Sequence, residues 1–268
     1  MKIHAVFEKD GYEHTHTVVL LHGDGHVGGP EFARDFFVRK TNVLGDRPKS
    51  LRDVFPTIRW VFPSAPRIRS ERTGETISQW FDTWSTSDPD EKPEIQVPGL
   101  SRSIETIQSV LEHEEKYIPY ERIFLGGFGH GFAAAYSAYF LGKPFAGLIG
   151  LSTWAPLNAV SLMPWKLAEI ENIVCQQELI TPIFISHSRD NQLLPVEHGR
   201  RLCDLLRTRT RARVEYHEYE DGGARMDVQQ ALDDLAVFLN RTAFHPWPRL
   251  EPPSIDDRIQ KAWPEGHN

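Results

Sequence analysis

Short apolar runs alternate with longer segments of helical periodicity along most of the chain. The runs at 17–21, 58–62, 122–125, 145–151, 183–186 and 213–219 are mostly short and rich in β-branched or aromatic residues, as buried strands are. Between them, 101–113 places Ile104, Ile107, Val110 and Leu111 on one helical face. Segment 131–141 is a second helix, small and aromatic, suited to close packing on a sheet. A third, 228–239, carries Leu232, Leu235, Ala236 and Leu239 at helical spacing. This alternation predicts an α/β fold, a mostly parallel central sheet flanked by helices on both faces. Two stretches break the pattern. Residues 85–99, rich in Asp, Pro, Ser and Glu, read as a long exposed loop or lid. Residues 244–268, with Pro246, Pro248, Pro252, Pro253 and Pro264, read as a tail that wraps the surface or is partly disordered. One domain over 1–243 is expected.

Composition narrows the function classes. The 268 residues fit one sizeable α/β domain, and a net charge of −7 argues against a nucleic-acid surface. No window approaches the roughly 18 apolar residues that span a bilayer. Met1-Lys2-Ile3-His4 does not open a signal peptide, so a cytoplasmic location is expected. Cys175 and Cys203 are too few for a disulfide framework.

Two motifs carry the candidate chemistry. Leu20-Leu21-His22-Gly23-Asp24-Gly25 follows a strand, where a His-Gly pair lets the backbone turn sharply and aim amides at a developing oxyanion. The second, Phe124-Leu125-Gly126-Gly127-Phe128-Gly129-His130-Gly131-Phe132-Ala133, runs a strand through a glycine-flanked elbow into a helix. That is the setting of a nucleophile elbow, but the central residue, Gly129, has no side chain.

With Phe62-Pro63-Ser64-Ala65-Pro66, Gln79-Trp80-Phe81-Asp82 and Gly150-Leu151-Ser152-Thr153-Trp154-Ala155-Pro156-Leu157, these segments resemble the acyl-protein thioesterase and carboxylesterase family over about residues 16–240. The resemblance implies an α/β-hydrolase fold and a Ser-Asp-His triad. Carried over position by position, the serine falls on Gly129, the acid on Asn191 with Asp190 one residue off, and the histidine on Ala224. A serine hydrolase needs its nucleophile, base and orienting acid together, so Ser-His-Asp chemistry is not expected. The family's oxyanion hole, built from backbone N–H groups, falls on Asp24 and His130.

Beside the elbow, His130 and Asp24 offer an imidazole and a carboxylate for proton transfer; the alternative is that His130 packs into its helix and Asp24 caps a turn. His26, Trp80, Trp84, Phe128, Trp154 and Asp190 are candidates for a mostly apolar pocket. No metal-ligand spacing, phosphate-cradling loop or cofactor motif stands out, because His22 and His26 lie in a glycine-rich loop. The expected partner is a small apolar substrate with a carbonyl, with no nucleic acid and no membrane span; a homodimer is compatible. Three functions are weighed. The main expectation is a non-hydrolytic enzyme promoting cyclisation, isomerisation, elimination or a pericyclic step on an apolar substrate of polyketide or terpenoid kind. The alternatives are a pseudo-esterase that only binds, and an esterase or thioesterase with a shifted or mutated triad.

Overall fold

Parallel strands buried on both faces need helices on each side, and the chain supplies them in that arrangement. The computed structural model describes residues 4–23, 28–140, 142–163, 181–209, 212–225 and 227–244. Strands β1 (His4–Phe7), β2 (His16–Leu21), β3 (Ile58–Pro63), β6 (Ile123–Phe128), β7 (Gly147–Leu151), β8 (Ile183–Ser188) and β9 (Val214–Tyr219) form one sheet in the order β1-β3-β2-β6-β7-β8-β9. Only β1 is antiparallel to its neighbour. A small hairpin, β4 (Arg67–Arg69) and β5 (Thr76–Ser78), stands apart.

Alternate residues of β2 show how the pleat divides the core. Val18 and Leu20 join the cluster containing Phe32, Ala33 and Phe36 of α1 (Gly29–Val38), together with Leu232, Leu235 and Leu239 of α7 (Gln229–Phe244). Val19 and Leu21 join the other cluster. It holds Ile107, Val110 and Leu111 of α3 (Val97–Glu114), Phe132 to Ala135 of α4 (His130–Tyr139), and Leu202 and Leu206 of α6 (Val196–Arg209). Two short helices, α2 (Leu51–Val54) and α5 (Leu157–Ser161), complete the set. Among the described residues no helix is long and apolar enough to cross a membrane.

The sequence-predicted strands and helices form, with three differences. Helix α3 begins at Val97 because Pro98 occupies its first turn, where a missing N–H breaks no helical bond. Residues 85–99 are therefore not all loop: a 3-10 turn at Pro93–Ile95 precedes α3, and the buried Gln96 side chain donates to the Pro89 carbonyl at 2.5 Å. Strands β1, β4 and β5 and helices α1, α2, α5 and α6 form without being predicted by the hydrophobic pattern. In α1, the leading Gly-Gly-Pro masks a helical spacing that begins at Phe32. The tail from 245 onward and Cys175 lie outside the described residues, whereas Cys203 is a buried free thiol.

At the amino ends of β2 and β3, opposite the elbow, the fold buries a charge. The Glu114 carboxylate is fully buried and takes the Arg59 Nε–H at 2.9 Å. Arg59 also reaches Glu8 at 2.9 Å. A buried ion pair of this kind contributes little net stability, but removing one partner strands the other. Arg59→Met is expected to cost about 3–5 kcal/mol in urea unfolding. The double variant with Glu114→Leu should recover most of that loss.

Nearby, burial pushes the His16 pKa down to about 4, with smaller contributions from Arg122 and His14. The unfolded chain, with a pKa near 6.5, then binds the His16 proton more readily than the folded one. The His16 contribution to stability is complete above that value and is lost as pH falls towards 4. His16→Gln should flatten stability over that window, read as unfolding midpoints against pH.

Candidate active site

The sheet order reverses between β2 and β6, since the chain leaves β2 for β3 on one side and later returns on the other. Ligands of open α/β sheets lie beyond the carboxyl ends of strands at such a switch point. Here the two ends are adjacent, with Leu21 paired to Gly127. Helix α4 rises directly from β6, and all ten of its residues are buried. A Cβ on Gly131 would stand 2.4 Å from the Leu21 carbonyl oxygen, so only glycine lets α4 approach β2 this closely.

Gly129 makes the turn between β6 and α4, with φ 50° and ψ −115°. L residues rarely adopt that backbone, and it is held from β7: the Gly129 N–H donates to the Leu151 carbonyl at 2.8 Å, and Thr153 Oγ1 donates to the Gly129 carbonyl at 3.0 Å. There is room for a side chain, because a Cβ at this position would meet only the Ser152 carbonyl oxygen, at an ordinary contact distance of 3.6 Å.

Beyond the turn opens a cleft of about 550 Å³. Phe32 and Phe36 of α1, Leu232 and Leu235 of α7, and Phe128 and Leu151 at the strand ends make its apolar wall. Ser152, Asn191 and His130 add polar groups, and Asp35, Arg39, Arg225 and Asp227 contribute charges. The structure thus brings Gly129, Asn191 and Ala224 to one cavity, although they come from three separate segments.

Asn191 is buried and its amide is fixed. Oδ1 accepts the Leu193 and Leu194 backbone N–H groups at 3.0 Å each, and Nδ2 donates to Ser152 Oγ at 2.7 Å. Ala224 sits in the 3-10 turn Gly223–Arg225.

The other expected residues divide. Phe128, Trp154 and His130 line the cleft. The His130 ring is packed between aromatic rings, 3.9 Å from Phe81 and 5.8 Å from Trp154 between ring centroids, which favours the packing reading. Asp24 and His26 lie outside the described residues, so the pairing of His130 with Asp24 does too.

Three assignments are corrected. Trp80 is a core residue whose indole N–H donates to the His22 carbonyl at 2.9 Å, and it does not line the cleft. Trp84 also lies off the cleft, under the Lys92 ammonium at 3.1 Å from the ring centroid. Asp190 is exposed, does not line the cleft, and accepts the Gly223 N–H at 2.8 Å.

The remaining histidines of these motifs serve the scaffold. His22 is buried, with Nε2 accepting the Ala65 N–H and Nδ1 set against the Gly23 carbonyl, both at 3.0 Å. His187 is buried in β8 with Nε2 on the Leu194 carbonyl at 2.9 Å, and burial pushes its pKa down. Sequence reasoning missed the contributions of α1 and α7 to the cleft. The Phe32-Phe36 and Leu232-Leu235 spacings were available, but they indicate only an apolar face, not that the face borders a cavity.

The sequence profile of the phospholipase/carboxylesterase family matches residues 2–243. An acyl-protein thioesterase 1 from Cryptococcus neoformans is 28% identical over 198 residues, 72% of this chain and 73% of that protein. One from Mycosarcoma maydis is 26% identical over 260 residues, covering 90% and 97%. Among solved structures, Zea mays acyl-protein thioesterase 2 superposes with a TM-score of 0.64 at 22% identity, over 90% of this chain and 98% of that one. The Bacillus cereus carboxylesterase gives a TM-score of 0.60 at 13% identity, over 90% and 95%. At such identities the structural likeness carries the fold alone.

These relatives overturn the main functional expectation. Proteins similar over most of their length are named for thioester and ester hydrolysis, not for cyclisation, isomerisation, elimination or binding without turnover. With the profile matched across nearly all of the described chain, this protein belongs to the phospholipase/carboxylesterase family.

Proposed function

We propose that the cleft hydrolyses a carboxylic ester or thioester and that water, rather than a side chain at position 129, attacks the carbonyl. The observation that carries this reading is the elbow at Gly129, which keeps a strained turn and opens onto the apolar cleft with no side chain to act as nucleophile. In this reading Gly129, Asn191 and Ala224 stand where the family's triad stands. The names of the acyl-protein thioesterase relatives support an acyl thioester on a protein as the substrate class.

The acyl chain lies along Phe32, Phe36, Leu232 and Leu235. Its carbonyl oxygen points to the backbone N–H of His130 at the start of α4, where the helix dipole favours negative charge. Water occupies the volume left by the missing side chain and adds to the carbonyl carbon. The C–S or C–O bond then breaks, and the thiol or alcohol leaves with a proton, giving the free acid. Catalysis rests on binding and oxyanion stabilisation alone, which in a serine protease stripped of its triad leave roughly 10³–10⁴-fold over water.

The expected result is acceleration of that order with p-nitrophenyl butyrate and an acyl thioester, and no labelling by a fluorophosphonate probe. The triple variant Gly129→Ser, Asn191→Asp, Ala224→His should gain labelling and a burst of product. Turnover no faster than the uncatalysed reaction would sink the reading, and a covalent fluorophosphonate adduct on the natural chain would sink the water route.

A further inference from the structure

Ser152 follows directly on β7 and lines the cleft beside Gly129. It is 2% exposed and holds φ at 51°, in the left-handed region that a side chain usually avoids. Its N–H donates to the Ser186 carbonyl at 2.7 Å, which ties this conformation to the sheet. The buried hydroxyl accepts the Asn191 Nδ2–H at 2.7 Å.

The direction of that bond is not interchangeable. Asn191 Oδ1 receives two backbone N–H groups, from Leu193 and Leu194. Flipping the amide would set its NH₂ against two donors, so Nδ2 must face Ser152. Ser152 Oγ is therefore the acceptor, and its own proton is available to donate elsewhere. Among the described residues no acceptor for that proton is present. An aspartate at 191 would reverse this arrangement, because an ionised carboxylate only accepts and would draw the Ser152 O–H onto itself. Asparagine at this position turns Ser152 into an outward donor.

We propose that the Ser152 hydroxyl donates a hydrogen bond to the carbonyl oxygen of the bound acyl group. It supplements the backbone amide at the start of α4 and strengthens as negative charge develops on that oxygen. This rests on the reading of the cleft as an acyl ester or thioester site. It adds a side-chain donor created by the residue at 191, so Ser152 and Asn191 act as a unit in which Asn191 is the positioning residue.

The test uses methyl hexyl ketone labelled with the heavy isotope at its carbonyl carbon, an acyl-ester mimic that water cannot hydrolyse. Isotope-edited infrared difference spectra are recorded for the full chain and for Ser152→Ala and Asn191→Asp. The ketone band should move to lower wavenumber on binding to the natural chain and move less in both variants. Affinity should fall roughly 2- to 10-fold, the range for losing one neutral hydrogen bond. Ester turnover should fall mainly in kcat, by about 10²-fold as for the loss of one oxyanion donor, with KM little changed. The Asn191→Asp result separates donation from packing, since Ser152 is still present there.

Equal band positions in the three proteins would overturn the proposal, as would a failure of the ketone to bind saturably. A Ser152-dependent band without any ester turnover would instead overturn the hydrolase reading and leave the donor assignment standing.

Discussion

The approach of α4 to the carboxyl ends of β2 and β6 is closer than a side chain at position 131 allows. A Cβ on Gly127 would meet the Gly131 carbonyl carbon and the Phe132 nitrogen at 2.5 Å, and one on Gly131 would meet Leu21 and His22 carbonyl oxygens. With both positions bare, the helix is buried along its whole length and its first amides reach the switch point of the sheet. The strained turn at Gly129 lines the cleft. Phe128 closes in on Gly23 from the other side, where a Cβ would come within 2.8 Å of its ring. The position of the cleft thus follows from backbone packing before any polar residue is considered.

Polar groups around this crossing divide into those the scaffold consumes and those it leaves for a ligand. His22 commits both ring nitrogens to backbone groups, and Trp80 commits its indole N–H to the His22 carbonyl. Asp190 is taken up by the Gly223 N–H. The pair Asn191 and Ser152 differs because the amide's accepting end is already filled and its donating end imposes a direction on the hydroxyl. One heteroatom of difference, nitrogen in place of oxygen at a side-chain tip, changes what the cleft presents to a carbonyl. At the other end of the sheet, Arg59 pairs with one oxygen of the buried Glu114 carboxylate and with Glu8.

The family relationship and a glycine at the elbow meet in one cleft. The turn, the helix start and the apolar wall are features of backbone and packing, and they persist without a side chain at 129. In the proposed reaction, binding and oxyanion stabilisation act through those features. Reading the empty elbow as evidence for an unrelated chemistry gives too much weight to one side chain and too little to the backbone that surrounds it.

The sequence by itself determined the layered α/β architecture, because strand-length apolar runs and helical spacings are local patterns that burial enforces on any such chain. It also located the elbow, since glycines at 126, 127, 129 and 131 mark the bends and close contacts of one short segment. Strand β1 and helices α1 and α6 are not legible there because their signals are short or masked by flanking glycine and proline. Only the tertiary structure decided that Gly129, Asn191 and Ala224 share a cavity with α1 and α7, and that Trp80, Trp84 and Asp190 do not. The physical reason is that spacing along a chain reports which face a residue is on. Which faces meet, and in which direction each hydrogen bond between them runs, is fixed only when segments distant in sequence are packed together.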